Sequence, residues 1–450
     1  MQSMSPAPIV SNSGPLLVIL PGLGAVATTF IAGVELARRG TGAPIGSLTQ
    51  LGSLPDGLGV QTPMNTALPL AQLDDLAFAA WDIHGEDAAT VAKRSEVLHG
   101  AHLAAVEPFL SRLRPMPGVH HPEVLQNLEP VDICRLQHRR EQAEALREDV
   151  RRAQKQAHAD RAVTVFLTST ERKQRETAAH QSLAAFEKAL DRNDATITPT
   201  QLYAYASLKE GVPFANGTPN NSVNLPALHE LALQMCLPVA GRDLKTGQTL
   251  MKTVIGPGLR ARLLGVAGWF STNILGNRDG AVLDDQEAFR SKEATKKGVL
   301  DSIFQKEEHP ELYSSLSHVV NINYYPPRGD QKEGWDNIDL FGWMGYPMQM
   351  KVNFLCRDSI LAAPLVLDIA LLLDLAHRSG MSGMQEWMSF FFKAPMSQPG
   401  LDPVHDLFEQ QRMLNTVLSG LAARQAQQRR EPLVAEARTT VRTGTAAARG

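Results

Sequence analysis

The chain has 450 residues, with 44 Lys and Arg against 47 Asp and Glu and a formal net charge of −3. That balance offers no electrostatic footprint for nucleic acid or for an anionic membrane, and neither is expected as a partner. An apolar fraction of 43% and a charged fraction of 20% are ordinary for a chain with a packed core, and the length allows two or three domains or one α/β body with an insertion.

Three cysteines, Cys134, Cys236 and Cys356, are odd in number and form no CxxC pair, so neither a disulfide framework nor a zinc site is indicated and a reducing cytoplasm is expected. The first fourteen residues lack a basic stretch, and no targeting segment is visible. The longest apolar run, residues 360–376, contains Pro364, Asp368 and Asp374; it reads as a buried helix and not a membrane span.

The run PLLVIL (15–20) reads as a parallel strand buried on both faces. Gly22-Leu23-Gly24-Ala25-Val26-Ala27 follows at once, and TTFIAGVELARR then reads as an amphipathic helix. Strand, glycine turn and helix are the context of a dinucleotide fingerprint: glycines let the backbone approach a pyrophosphate, and the helix start attracts its charge. Gly22, Leu23, Gly24 and Ala25 are therefore candidate cofactor contacts.

Residues 41–75 read as loop. A second buried strand is expected over LAFAAWDI (76–83), ending near Asp82, either a carboxylate for a ribose or adenine or a strand-end turn residue. Residues 88–113 are predicted helical. In the loop 115–133 the adjacent His120 and His121 are expected on the surface. Residues 135–160 read as a charged, solvated helix, and AVTVFL (162–167) as a strand followed by Thr168 and Ser169, small hydroxyls that suit a nucleotide crevice.

Helices are predicted near 173–191, 199–209, 226–234, 250–263 and 403–423. Strands are predicted at 264–270, 318–325, 339–346 and 348–355, with a loop at 326–332. From Gln425 the composition has little to bury, and the tail, 425–450, is predicted without regular structure.

The most informative stretch is FRSKEATKKGVLDSIF. Phe289, Lys292, Lys296, Val299, Leu300 and Ile303 fall on one helical stripe, so two lysines four apart share a face that belongs to the core. Burying unpaired ammonium groups costs several kcal/mol. Either both lysines snorkel out, or they line a cavity. Asp243, Asn273, Asn277 and Asp279 lie nearby in the chain, and a cavity of lysines, carboxylates and amides suits an anionic, polyhydroxylated substrate.

The segments GSLTQ (46–50), AFAAWDI (77–83), LKEGVPFANGTPNN (208–221), AGRDLKTGQT (240–249), LGNRDG (275–280), FRSKEATKKGVLD (289–301), RGDQK (328–332) and CRDSILAAPLVLD (356–368) recur in this order in myo-inositol-1-phosphate synthases. From about residue 15 to 420 the chain resembles that family. The resemblance implies an α/β fold: a Rossmann-like NAD-binding domain (1–249 and 360–424) interrupted by an α+β catalytic and tetramerisation domain (250–359).

It implies an isomerase that cyclises D-glucose 6-phosphate to 1L-myo-inositol 1-phosphate: oxidation at C5, enolisation at C6, aldol closure onto C1 and re-reduction. NAD is not consumed. The requirement for a monovalent or divalent cation varies in the family, and the family's assembly is a homotetramer.

Residue by residue, the resemblance assigns Lys292 and Lys296 to substrate and oxyanions, and Lys332 to the site with Asp330 from the same loop. A lysine whose pKa is lowered by like-charged neighbours suits the proton shuttle from the C5 hydroxyl, and Lys292 is expected there. Asp243 is a catalytic carboxylate, with Thr246 and Gly247 at the phosphate. Asn273 and Asn277 match a substrate-binding segment, Asp279 of the same segment is assigned a catalytic role, and Asp358 with Ser359 lies near the nicotinamide.

The chain departs from the family pattern at the glycine turn, at Ile274, Arg278 and Asn323, and at Glu409, where the family has a substrate-holding lysine. Those departures keep two other readings open: a member acting on another sugar phosphate, and a non-catalytic NAD-binding paralogue.

Overall fold

A computed structural model describes residues 8–55, 60–125, 128–276, 299–398 and 400–446, with side chains as far as Arg429. Numbering the strands of the two main sheets in chain order, the first sheet holds β1 (Leu16–Pro21), β2 (Leu76–Asp82), β3 (Met116–Pro117), β4 (Arg161–Phe166), β5 (Phe214–Asn216) and β6 (Pro238–Gly241). The second sheet supplies β7 (Gly265–Leu275), β8 (Ser317–Tyr324), β9 (Gln331–Phe341) and β10 (Pro347–Arg357), and β11 (Gly383–Met384) returns to the first.

The first sheet runs β3-β2-β1-β4-β5-β6-β11, parallel throughout. This is the Rossmann order with one strand added, and its topological switch lies between β1 and β4. β1 is buried on both faces because neighbouring residues serve opposite layers. Leu16, Val18 and Leu20 pack toward α1 (Ala25–Arg38), while Leu17 and Ile19 join the core on the other face.

Helices of two turns or more follow in order: α2 (Ala88–Ser95), α3 (Gly100–Leu110), α4 (Arg139–Ala157), α5 (Leu183–Asp191), α6 (Pro199–Lys209), α7 (Pro226–Gln234), α8 (Gly247–Ala261), α9 (Asp358–Arg378) and α10 (Leu407–Ala446). α9 is long and apolar enough to cross a bilayer, yet most of it is buried beside α1 and β4. Its acids are satisfied there. Asp368 accepts from Ser47 Oγ and Thr49 Oγ1, both at 2.6 Å, and from the Leu48 and Thr49 amides. Asp374 takes Arg161 and Arg378.

The second sheet runs β8-β7-β9-β10, with β7 and β8 parallel and the other pairs antiparallel. Its inner face covers a core of Leu259, Val266, Trp269, Ile338 and Leu340 together with Val299, Leu300, Ile303 and Phe304. The end of the lysine stripe is therefore core. Lys292, Lys296, Asn277 and Asp279 lie outside the described residues.

Several expectations need correction. Residues 88–113 form two helices, because Glu96 adopts a left-handed conformation (φ 52°) that ends α2. Regular α-helix in 173–191 begins only at Leu183, where Ser182 caps it by accepting the Ala185 amide. Strand β9 starts at Gln331, inside the expected loop, and β7 runs on to Leu275.

Residues 41–75 are not all loop: Ser53–Pro55 pairs with Gln61–Pro63. His121 is buried, not on the surface, because Gln142 hydrogen-bonds its Nε2 at 2.9 Å. The backbone from Gln425 continues α10 to Ala446; Ala, Gln, Arg and Glu propagate a helix well even where little is buried.

Candidate functional site

The C-terminal ends of β1, β4, β5 and β6 stand side by side and carry the first half of the site. Gly22, just past β1, has φ +95° and lies so close to β4 that a Cβ would sit 2.7 Å from the Leu167 carbonyl oxygen. Only glycine fits. The Leu23 amide donates to Asp82 Oδ2 at 2.7 Å, and Asp82 Oδ1 accepts the His84 amide at 3.0 Å. Asp82 thus braces the glycine turn. Burial raises its pKa against these amide hydrogen bonds.

Gly24 caps α1 without a side-chain bond, and no acid sits in the first turn. The helix start therefore keeps its orphan N–H groups and its positive end for an anion.

Beyond β4, Thr168 and Ser169 lead into a buried polar seam. Asn220 Nδ2 donates to the Ser169 carbonyl at 3.1 Å, and Asn220 Oδ1 accepts the Glu171 amide at 2.8 Å. Asn216 holds the same loop through Thr218 and Ser222. The Thr218 carbonyl then receives the amide of Asp243, a residue with φ +62°. Asp243 is 5% exposed, and Lys393 Nζ approaches its Oδ1 at 3.2 Å.

The second half of the site is built on α8, β9 and α9. Thr246 stands at the start of α8, again with no side-chain cap. A Cβ on Gly247 would lie 3.7 Å from Lys332 Cδ and Cε, so the lysine of β9 runs alongside the helix start. Lys332 is 5% exposed, and its ammonium reaches Asp358 Oδ2, at the first residue of α9, at 3.3 Å. Asp330 accepts Ser359 Oγ at 2.6 Å, and burial pushes its carboxyl up, aided by the nearby Asp358 charge. Asn273, fully buried on β7, donates through Nδ2 to Gln248 Oε1.

Asp243 Oδ2, Asn273 Oδ1 and Asp330 Oδ2 are buried with no protein hydrogen bond. Leaving a buried acceptor unsatisfied costs about 1–3 kcal/mol, and three such acceptors suit a ligand rich in hydroxyl donors. Burial also lowers Lys245, whose Nζ donates to Gln410, to about 7, and Lys252, 2.8 Å from His318 Nε2, to about 8. The Cys356 thiol is pushed up to about 11, chiefly by burial, and is no nucleophile.

The structure thus brings Gly22–Ala25 and Asp82 together at one crest, Thr168, Ser169 and Asp243 at the neighbouring strand ends, and Thr246, Gly247, Asn273, Asp330, Lys332, Asp358 and Ser359 in the second half. Glu409 sits in the first turn of α10, paired with Arg412. Together with Arg260 and Asp301 it lines a cavity of about 340 Å³.

Sequence reasoning missed Lys393, Gln248, Asn216 and Asn220. Lys393 carried a signal: one cation inside FFFKAPM has to find a buried partner. The amides carried none, since their partners depend on loop geometry. Among the described residues no group of three or more His, Cys, Asp and Glu gathers as a metal ion requires.

The family model for myo-inositol-1-phosphate synthase matches residues 16–419. Inositol-3-phosphate synthase 1 of Bacteroides thetaiotaomicron is 47% identical over 411 residues, covering 91% of this chain and 96% of that protein. Inositol-3-phosphate synthase of Sesamum indicum is 31% identical over 399 residues, covering 83% and 77%. Among solved structures, inositol-3-phosphate synthase from Caenorhabditis elegans superposes with a TM-score of 0.84 at 25% identity, over 91% of this chain and 86% of the other. A myo-inositol-1-phosphate synthase-related protein from Thermotoga maritima shares the fold, with a TM-score of 0.71 at 24% identity over 90% and 98%.

Proposed function

We infer that this chain, which belongs to the myo-inositol-1-phosphate synthase family, is an NAD-dependent isomerase that cyclises D-glucose 6-phosphate to 1L-myo-inositol 1-phosphate. The observation that carries the substrate side is that the buried Lys332 side chain runs past the uncapped start of α8. A buried cation beside a positive helix end suits a phosphate dianion, and the three buried acceptors without a protein partner suit sugar hydroxyls.

The crest of the first sheet fits NAD. The uncapped start of α1 would hold the pyrophosphate, Gly22 and Gly24 leave room for it, and Thr168 and Ser169 would line the crevice. When bound, the nicotinamide supplies reversible hydride transfer with a carbinol carbon of the sugar. The chain's own side chains do the rest. Lys332 holds fixed positive charge near oxygens that become negative during enolisation and ring closure, and its burial makes that charge effective. Asp243, paired with Lys393, accepts a sugar hydroxyl and orients the ring.

Lys292 takes and returns the C5 hydroxyl proton, and Lys296 contacts the oxyanion, with Asn277 and Asp279 beside them. These four assignments rest on the sequence pattern alone. Burial lowers Lys245 to about 7 and Lys252 to about 8, which supports an environment in which lysine pKa values fall toward the working range.

The assembly is a homotetramer in this reading. Phe270, Val319, Trp335 and Leu355 lie on the outer face of the second sheet and are each at least 37% exposed, a patch that a partner sheet would cover. Three free cysteines support a reducing, cytoplasmic setting.

The test is purified protein with glucose 6-phosphate in excess over NAD, scored by periodate-released phosphate. Many turnovers per NAD with no net NADH are expected. Accumulation of NADH, or NAD binding without conversion, would overturn the inference.

A further inference from the structure

We propose that Asp336 is a positioning residue that fixes the polarity of Asn273, so that the site reads one sugar hydroxyl as a hydrogen-bond donor. The proposal rests on the reading of the site as a sugar-phosphate pocket.

The argument starts at Asp336, 2% exposed on the inner face of β9. Its Oδ1 accepts Trp269 Nε1 at 2.7 Å and Ser271 Oγ at 2.6 Å. An indole N–H can only donate, so this carboxylate acts as an acceptor. Its Oδ2 lies 3.0 Å from the Gln248 amide, and the main-chain carbonyls of Thr272 and Trp335 lie 3.4 Å from the same amide atom. Three acceptors surround that atom, so it is the NH2 end of Gln248.

The oxygen of Gln248 is then turned to Asn273, and Asn273 must answer with its own NH2. What remains is Asn273 Oδ1, buried, with no protein partner, two residues along β7 from Ser271 and opposite Gly334, next but one to Lys332 on β9. An amide that could face either way is thereby locked with its acceptor as the end left without a protein partner. A hydroxyl that donates satisfies it, whereas a group that only accepts leaves two acceptors opposed. The lysine elsewhere in the pocket supplies donors, so this position selects a hydroxyl that keeps its proton through the reaction.

The test uses the NAD-loaded full chain with glucose 6-phosphate and its 2-, 3- and 4-deoxyfluoro analogues, whose fluorine can accept but not donate. Both kcat/KM and equilibrium binding are measured. The wild type should reject one analogue by at least about tenfold relative to glucose 6-phosphate. Asp336→Asn sets an NH2 against either Gln248 or the Trp269 and Ser271 donors, and Gln248→Met removes the link. Each should reduce that discrimination about tenfold.

Ser271→Ala deletes a donor to Asp336 while keeping the acceptor for Gln248, and should preserve the wild-type ratio; a merely structural role for Asp336 would make it behave like Asp336→Asn. If Asp336→Asn does not fold, Gln248→Met and Ser271→Ala decide. Equal tolerance of all analogues by the wild type, or an unchanged ratio in the soluble variants, overturns the proposal. Failure to turn over glucose 6-phosphate overturns the functional reading instead, and the binding ratios still judge the relay.

Discussion

Lys332 combines burial, a carboxylate partner and a neighbouring helix start, and it is the residue on which the function reading is most exposed. Lys332→Met keeps the aliphatic stem and removes the charge. Turnover should fall by about 10²–10³ or more, as expected for the loss of one oxyanion-stabilising donor. Recovery of more than a tenth of the wild-type rate by the variant would take Lys332 out of the chemistry.

Lys245 makes a different prediction. Burial lowers it from the usual 10.5 to about 7 in the folded chain. Between those values the unfolded lysine binds a proton that the folded one does not, so stability rises with pH there, by at most about 1.4 kcal/mol per unit, and is flat below the folded value. Urea midpoints at pH 7 and pH 9 should therefore climb more for the wild type than for Lys245→Met. Parallel curves would mean that the folded lysine stays charged.

Lys332 and Lys393 mark how far single residues were legible. Lys332 was found by its motif. Lys393 was passed over, although a cation inside FFFKAPM has no cheap solvent route. Its partner, Asp243, lies 150 positions earlier in the chain, and no local pattern reports such a distance.

Elements were legible where the signal is local and lost where it is not. PLLVIL followed by GLGAVA declares strand, turn and helix within a dozen residues, and β1, α1 and the Asp82 strand end stand where they were expected. Strand β9 was misread at its start because Lys332, Gly334 and Asp336, two buried charged groups and a glycine, are its inward positions, a pattern that imitates loop composition. The GSLTQ segment was recognisable, but its reason, four hydrogen bonds to Asp368 on α9, is not.

The glycine turn gives the test at this scale. Gly22→Ala puts a Cβ 2.7 Å from the Leu167 carbonyl at φ +95°. It should cost roughly 1–3 kcal/mol of stability and weaken NAD binding at least about tenfold. Gly24→Ala meets no atom within 4 Å and has φ −92°, so the cofactor-free chain should keep its stability within about 0.5 kcal/mol. A NAD affinity that is unmoved in both variants, measured by fluorescence titration, would detach the turn from the cofactor.

At the scale of the whole molecule, one sheet buries both faces and the other buries one. The first is closed by helices on each side, with α9 bringing the chain back from the second sheet into the first core. The second packs inward on α8 and residues 299–304 and leaves Phe270 and Trp335 stacked edge to face on its outer surface at 6.1 Å. Its strands alternate as one-sided sheets do, and its outward face sets the apolar Phe270, Val319, Trp335 and Leu355 among polar residues such as Glu333, Asn337, Lys351 and Asn353. In the proposed homotetramer a second copy of the chain would cover this apolar cluster, the same surface meeting itself across a two-fold axis.

Trp335→Asp puts a charge at the centre of that face without touching the inner one, whose positions alternate with it. Light scattering of the wild type should return four times the 49.0 kDa chain mass, and the variant should return a smaller species with its near-ultraviolet circular dichroism still folded. A wild type that runs as a monomer at micromolar concentration removes the assembly from the reading. A variant that stays tetrameric moves the interface elsewhere, to a surface that must then bury the remaining exposed apolar side chains.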